Sequence, residues 1–224
     1  PLAGLNSQAQ NAIDETDEAL RQKQLQHILE SSNVLTNTVN QLLNRATLTH
    51  RYQSHAFSPV SLDQLTKDTC RELVVWALER GVEIEYVGDL QATIDGDEFA
   101  LKQMLQNIIE NAIKYSPNKG LVEVELMSAN KLNAAAAVVL QIRDQGVGVP
   151  DEDKEHIFEY FYRSPDNQAS GSGIGLSIAK EVAEHHDARF HLKDNEPTGL
   201  IVEVIFPKRT LPKNRYPKPK GARL

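Results

Sequence analysis

Hydrophobic positions in the first fifty residues recur at alternating steps of three and four: Leu25, Ile28, Leu35, Val39, Leu42 and Ala46, with Ser32 holding the missing place. This is a heptad seam, and it predicts a long helix packed on other helices. Leu2, Leu5, Ala9 and Ala12 form a shorter stripe of the same kind. The acidic run DETDE at 14–18 is the expected break between two antiparallel helices. Two helices so narrow cannot bury both sides of a seam. A second chain completing a four-helix bundle is therefore expected, with docking of the hairpin on its own chain as the alternative.

From Phe57 the texture changes. Ser61 with Gln64 reads as a capping box opening a helix that Gly81 closes. VEIEYV (82–87) alternates like a strand, and a helix follows from Asp97 to Tyr115, ended by SPNKG. Strands are expected at 121–127 and 134–143, a helix at 174–186, and two last strands at 188–193 and 200–206. Elements alternate without strict βαβ regularity, which predicts a mixed sheet with helices on one face. The expected division is a helical hairpin over 1–56, an α/β domain over 57–207 and a tail over 208–224.

Charge sharpens that division. The chain carries −7 overall, yet residues 208–224 hold seven of its 24 Lys and Arg and no acid. Three prolines and a glycine in the same stretch predict a disordered tail. What precedes it is acidic, which argues against nucleic acid as a partner. The single cysteine, Cys70, excludes an intramolecular disulfide. It shares a helical stripe with Leu62, Leu65, Thr66, Leu73 and Trp76, so packing is its expected role.

Four stretches carry candidate chemistry. On the helix 97–115, Asn107, Asn111 and Lys114 fall within about 60° of one another at 100° per residue, opposite Leu101, Leu105, Ile108, Ile109 and Ala112. Carboxamides are neutral ligands suited to Mg2+ that takes its charge balance from phosphates, and a lysine supplies a point charge to the same phosphates. RDQGVGVP (143–150) sets Asp144 at a strand end before Gly146 and Gly148. A buried carboxylate there would accept from the exocyclic amine of adenine and reject guanine, and the glycines would let a base lie against bare backbone. IFEYFYR (157–163) offers Ile157, Phe158 and Phe161 to a hydrophobic slot and leaves Arg163 free for a phosphate; plain core packing is the alternative for the rings. GSGIGLSIAK (171–180) runs Gly171, Gly173, Gly175 and Leu176 into a helix N-terminus, a phosphate site or else a hinge.

In order, N-x-x-x-N-A-x-K-Y, D-x-G-x-G, F-x-x-F-Y-R and G-x-G-x-G-L resemble the N, G1, F and G2 boxes of bacterial sensor histidine kinases, members of the GHKL ATPase superfamily. The resemblance spans residues 58–207. The helical pair before it is similar to the family's dimerisation and phosphotransfer domain. It implies an α+β chain: a helical hairpin, half of a four-helix bundle, followed by the α/β sandwich of the GHKL (Bergerat) fold. By resemblance, ATP and Mg2+ are the cofactors, Asn111 ligates the metal with Asn107 as companion, and Lys114 and Tyr115 flank the nucleotide. Asp144 meets the adenine amine, and Val149 begins a mobile lid that ends at Ser172. Gly199 belongs to a weaker last box. Chaperone, topoisomerase and mismatch-repair relatives carry a catalytic glutamate where Asn107 stands. Asparagine cannot take a proton, so transfer to a protein is expected over hydrolysis.

The family's acceptor lies in H-E-x-x-[Thr/Ser]-P-L, and this chain opens with PLAGL. The acceptor histidine is then expected five residues upstream of Pro1, and none of the seven histidines present, His27 on the long helix included, stands in that pattern. The chain is expected to bind nucleotide without phosphorylating itself. The implied partners are a second copy and a response-regulator receiver domain. The implied location is the cytoplasmic side of an inner-membrane protein, whose membrane contact lies in upstream segments. A nucleotide-binding scaffold and a serine kinase of the same superfamily are the competing readings.

Overall fold

The computed structural model describes residues 2–54, 57–88, 90–128, 137–164 and 172–207. Two helices come first, α1 (Leu2–Asp14) and the 37-residue α2 (Glu18–Ser54). The acidic break between them works through capping. Asp17 Oδ1 accepts from the backbone N–H groups of Ala19 (2.9 Å) and Leu20 (3.2 Å), two donors that the first turn of α2 leaves without a helical partner.

The hydrophobic seam stays largely uncovered. Leu25, Val39 and Leu42 are each about 45% exposed, and Leu29 and Leu43 more so. The C-terminal part of α2 does pack, against its own chain. Leu48 is fully buried, Asn44 Nδ2 donates to Gln103 Oε1 at 2.8 Å, and the Arg45 guanidinium lies 4.2 Å from the Tyr160 ring centroid. Self-docking thus holds for the C-terminal part of α2, while the seam at Leu25, Val39 and Leu42 stays open.

The remainder is an α/β sandwich. β2 (Glu83–Val87), β4 (Leu121–Ser128), β5 (Val138–Arg143), β7 (Leu200–Phe206) and β6 (Arg189–Asp194) form one sheet in the order β2-β4-β5-β7-β6. β2 runs parallel to β4 and every other neighbour pair is antiparallel. Helices α3 (Leu62–Glu79), α4 (Glu98–Tyr115) and α5 (Gly175–His185) share a single core with one face of this sheet. Among the described residues no helix covers the other face, and its side chains suit it to water. Arg143 pairs across the strands with Glu123 (2.6 Å) and Glu125 (3.1 Å), and Lys193 with Glu203 (2.7 Å). Cys70 packs in the core as expected. Burial pushes its thiol up to about 11, which leaves it a poor nucleophile.

Three readings need correction. The capping box fails, because Ser61 Oγ donates to Asp63 Oδ1 (2.9 Å) and Gln64 turns to Asp68. Asp63 is buried, and its other contact, from Ala92 N, ties α3 to the strand before α4. A two-stranded sheet, β1 (Ser58–Ser61) with β3 (Thr93–Gly96), was not foreseen, since four residues are too few to show a period. The strand expected from 134 starts at Val138, with 129–136 outside the described residues. The tail expected over 208–224 also lies outside them.

Candidate functional site

Helix α4 begins at Asp97, whose Oδ1 accepts from Ala100 N at 3.2 Å, and ends at Ser116. Its apolar face is buried on the sheet, so its polar stripe is left facing a cavity of about 1250 Å³. Asn107, Asn111 and Lys114 line that cavity together, as their spacing predicts. Asn107 is only 8% exposed, and its Nδ2 donates to Gln103 O at 2.9 Å. Its Oδ1 is left facing Gly175, where an added Cβ would sit 3.0 Å away. The Lys114 ammonium lies 4.6 Å from the Tyr115 ring centroid and donates to its hydroxyl at 3.1 Å.

Strand β5 delivers Asp144 to the cavity floor, where it is 6% exposed. Oδ1 accepts from Gly146 N (2.8 Å) and Leu200 N (3.1 Å). Oδ2 accepts nothing from the described residues. Burial pushes this carboxyl above its ordinary value, and the two backbone N–H groups pull partly the other way. The result is a desolvated acceptor with one oxygen available to a ligand donor. Gly146 is required by space: a Cβ there would stand 2.6 Å from Tyr115 O. Gly148 is required by backbone, with φ +74°, and Val149 continues along the cavity wall.

The third wall is the start of α5. Gly173 has φ +70°, and a Cβ on it would meet Tyr162 O at 2.7 Å. Gly175 opens the helix with Leu176 beside it, both lining the cavity. Free N–H groups at that end face the Asn107 carboxamide, an arrangement that attracts anions. Arg163 is exposed at the cavity edge. Gly171 lies outside the described residues.

The aromatic segment departs from its reading. Phe158 packs edge-on against Phe190 (5.2 Å), but Phe161 is 61% exposed. Its φ of +67° turns the side chain to solvent while its N–H donates to Gly173 O at 2.9 Å. Phe161 therefore serves the glycine turn through backbone rather than by plugging a slot, while Phe158 follows the packing alternative and Ile157 lines the cavity.

Some site residues gave no signal in sequence. Asn195 Nδ2 donates to Asp144 O at 2.7 Å, so the β6–β7 turn holds Asp144 from behind. Asn40, Gln41 and Asn44 of α2 line the same cavity, and Ser172 Oγ donates to Gln41 Oε1. A heptad pattern reports the apolar seam of α2 and is silent about this polar side.

The donor set fits the implied cofactors. An adenine needs an acceptor beside bare backbone, which Asp144 and Gly146 provide, and phosphates need a helix N-terminus and a cation. Among the described residues no group of three or more His, Cys, Asp or Glu could hold a metal unaided. The carboxamides of Asn107 and Asn111, both on the cavity wall, are the neutral oxygen donors a Mg2+ bound to phosphates would use.

Residues 96–210 match the family described as histidine kinase-, DNA gyrase B- and HSP90-like ATPase. The sensor protein kinase PmrB of Pseudomonas aeruginosa is 34% identical over 223 residues, 99% of this chain and 45% of that protein. The chain spans less than half the length of the curated relatives it matches. The structure of a mycobacterial sensor histidine kinase, MprB, superposes with a TM-score of 0.57 at 26% identity, over 69% of this chain and 99% of that one. The Acinetobacter baumannii histidine kinase AdeS shares the fold over 94% of this chain and 96% of its own, with a TM-score of 0.68 at 17% identity. No described helix is long and apolar enough to cross a membrane.

Proposed function

The chain belongs to the histidine kinase-, DNA gyrase B- and HSP90-like ATPase family, in its sensor histidine kinase branch, and on that premise we propose that it is the ATP-binding kinase core of a two-component sensor. In this reading the γ-phosphate of ATP passes to a histidine and then to an aspartate of a response regulator. The observation that carries it is Asp144: a buried carboxylate with a spare oxygen, in one cavity with the Asn107, Asn111 and Lys114 row and the N-terminus of α5.

Each residue has a defined task. Asp144 accepts from the adenine amine. The α5 N-terminus and Lys114 bind phosphate charge. Asn107 and Asn111 would hold Mg2+, and the ion would supply charge neutralisation at the phosphates. Asn107 has its Nδ2 committed to the Gln103 carbonyl and no ionisable proton, so it cannot activate water. That supports transfer to a protein acceptor over hydrolysis.

Asn111→Ala is expected to remove the Mg2+-dependent part of nucleotide affinity while leaving binding in EDTA unchanged. The loss should reach the ~10–100-fold range seen when even an outer partner of a metal is removed. Calorimetric titration with ADP, with and without Mg2+, reads both parts. An equal loss in EDTA would remove Asn111 from the metal and return it to the nucleotide itself.

We extend the proposal to assembly. The exposed Leu25, Val39 and Leu42 are a seam for a second copy, giving a homodimer. Sedimentation should show a concentration-dependent dimer, with Leu25→Glu/Leu42→Glu weakening it at least ~10-fold. A wild-type chain that stays monomeric at high concentration would end the dimer reading.

A further inference from the structure

α2 meets the α/β sandwich in two places. One lies along the cavity, where Gln41, Asn44 and Arg45 make polar contacts. The other lies at the opposite end of the cleft-forming helices, and it is built differently. Arg51 forks onto Asp97, Nε to Oδ2 at 2.8 Å and Nη2 to Oδ1 at 3.0 Å, with the Asp97 side chain only 4% exposed. The same carboxylate caps α4, accepting from Ala100 N. The backbone N–H of Asp97 donates to His186 Nε2 at 3.1 Å. His186 is 4% exposed, and its Nδ1 donates to Val182 O at 2.7 Å, which fixes a neutral ring at the end of α5.

One residue thus touches three helices: α2 through its side chain, α4 as its cap, and α5 through His186. Aromatic rings close the assembly. Phe57 stacks on His186 (4.6 Å, 9°), and Tyr52 of α2 on His185 (3.7 Å, 28°). There is no slack in it: a Cβ on Gly96 would fall 2.7 Å from Leu101 and 2.9 Å from His186. α4 and α5 run antiparallel, because Asp97 meets His186 at one end and Asn107 faces Gly175 at the other. The joint therefore grips both walls of the cleft about 15–20 Å from the Asn107 and Asn111 positions.

We propose that Arg51, Asp97 and His186 form a coupling joint, in which Arg51 and Asp97 are positioning residues that fix how far the α4 and α5 walls of the nucleotide cleft stand apart according to where α2 lies. This rests on the nucleotide reading of the cleft. The chemistry favours an all-or-none joint. A carboxylate this deeply buried loses most of its compensation when the guanidinium leaves, so partial displacement is unfavourable and the contact is either made or broken. Coupling of this kind is reciprocal. If a seated α2 favours the nucleotide-binding cleft, nucleotide in the cleft tightens the seat of α2 by the same factor.

Hydrogen exchange on the whole chain, with and without saturating ADP and Mg2+, tests this alongside a binding isotherm for each protein. In the wild type, nucleotide should slow exchange in α2 residues 48–54 and in the first turn of α4 by about fivefold or more. Arg51→Met keeps the side-chain stem and removes the fork. It should abolish the slowing in α2 while residues 144–148 and 173–179 remain protected, and it should weaken ADP by no more than the factor lost. Arg51→Lys should restore part of the slowing. An isotherm without slowing at 48–54, or slowing that survives in full in Arg51→Met, overturns the joint and leaves the nucleotide site standing. A folded wild type with no isotherm overturns both.

Discussion

Replacing Asp144 with asparagine is expected to weaken ADP binding by about 10- to 150-fold, the equivalent of one charged hydrogen bond worth ~1.5–3 kcal/mol. It should leave the ligand-free chain at least as stable as before. The two outcomes come from different oxygens. Oδ1 takes the N–H groups of Gly146 and Leu200, and the asparagine oxygen can take both in its place. The other position becomes an amide nitrogen, which presents a donor to the donor of adenine. Stability follows from the raised carboxyl. A group that titrates higher in the folded state contributes most below its unfolded value and loses that contribution as pH rises through its folded value. At neutral pH the wild type therefore carries an unfavourable buried charge that the variant lacks. Any stability advantage of Asp144→Asn should shrink as the medium is acidified and Asp144 becomes protonated. ADP affinity of the wild type should fall over the same range, since a protonated Asp144 no longer accepts as an anion. Thermal melts of both proteins at neutral and acidic pH read the first trend, and calorimetry the second. A variant that unfolds would mean the charge itself holds the turn.

The second large effect lies on the hairpin behind Asp144. Gly199→Ala should cost about 2–5 kcal/mol, combining a backbone conformation unfavourable to L residues with a steric overlap. Gly199 has φ +125°, and an added Cβ would fall 2.0 Å from Asp144 O and 2.8 Å from its carbonyl carbon. Neither is a flexible side chain that could move aside. The strand end holding Asp144 must shift, so nucleotide binding should fail even under conditions where the variant remains folded. Gly4→Ala makes the same chemical change on α1 with nothing within 4 Å, and should leave binding untouched. Denaturant melts and ADP titrations of the two variants compare them directly. Unimpaired binding in Gly199→Ala would show that the turn does not set the position of Asp144.

These two residues also mark how far the sequence could be read. Asp144, Gly146 and Gly148 sit within five positions, so the chemistry they share is visible locally. The same holds for Asn107, Asn111 and Lys114, which one helical period brings into line. Gly199 and Asn195 act on Asp144 from more than fifty positions away; the resemblance singles out Gly199, but its contact with Asp144 and the whole role of Asn195 emerge only from the folded chain. The polar side of α2 is hidden for a related reason. Gln41 reaches Ser172 across 131 positions, and no periodicity records such a contact. Ser61 and Phe161 show local rules overridden: a buried aspartate two residues on takes the serine hydroxyl, and a left-handed backbone turns the phenylalanine outward. The sheet and its three helices needed none of these contacts to be legible, because their apolar periods are long and charged residues recur on the outer face of the sheet.

The central claim is that the Asp144 cavity takes an adenine nucleotide, and parallel calorimetric titrations of the wild type with ADP and GDP in Mg2+ test it most directly. Saturable binding of ADP, with GDP weaker by at least tenfold, is the result expected from a buried acceptor opposite the base. Equal binding of both, or binding of neither by the folded chain, would contradict it.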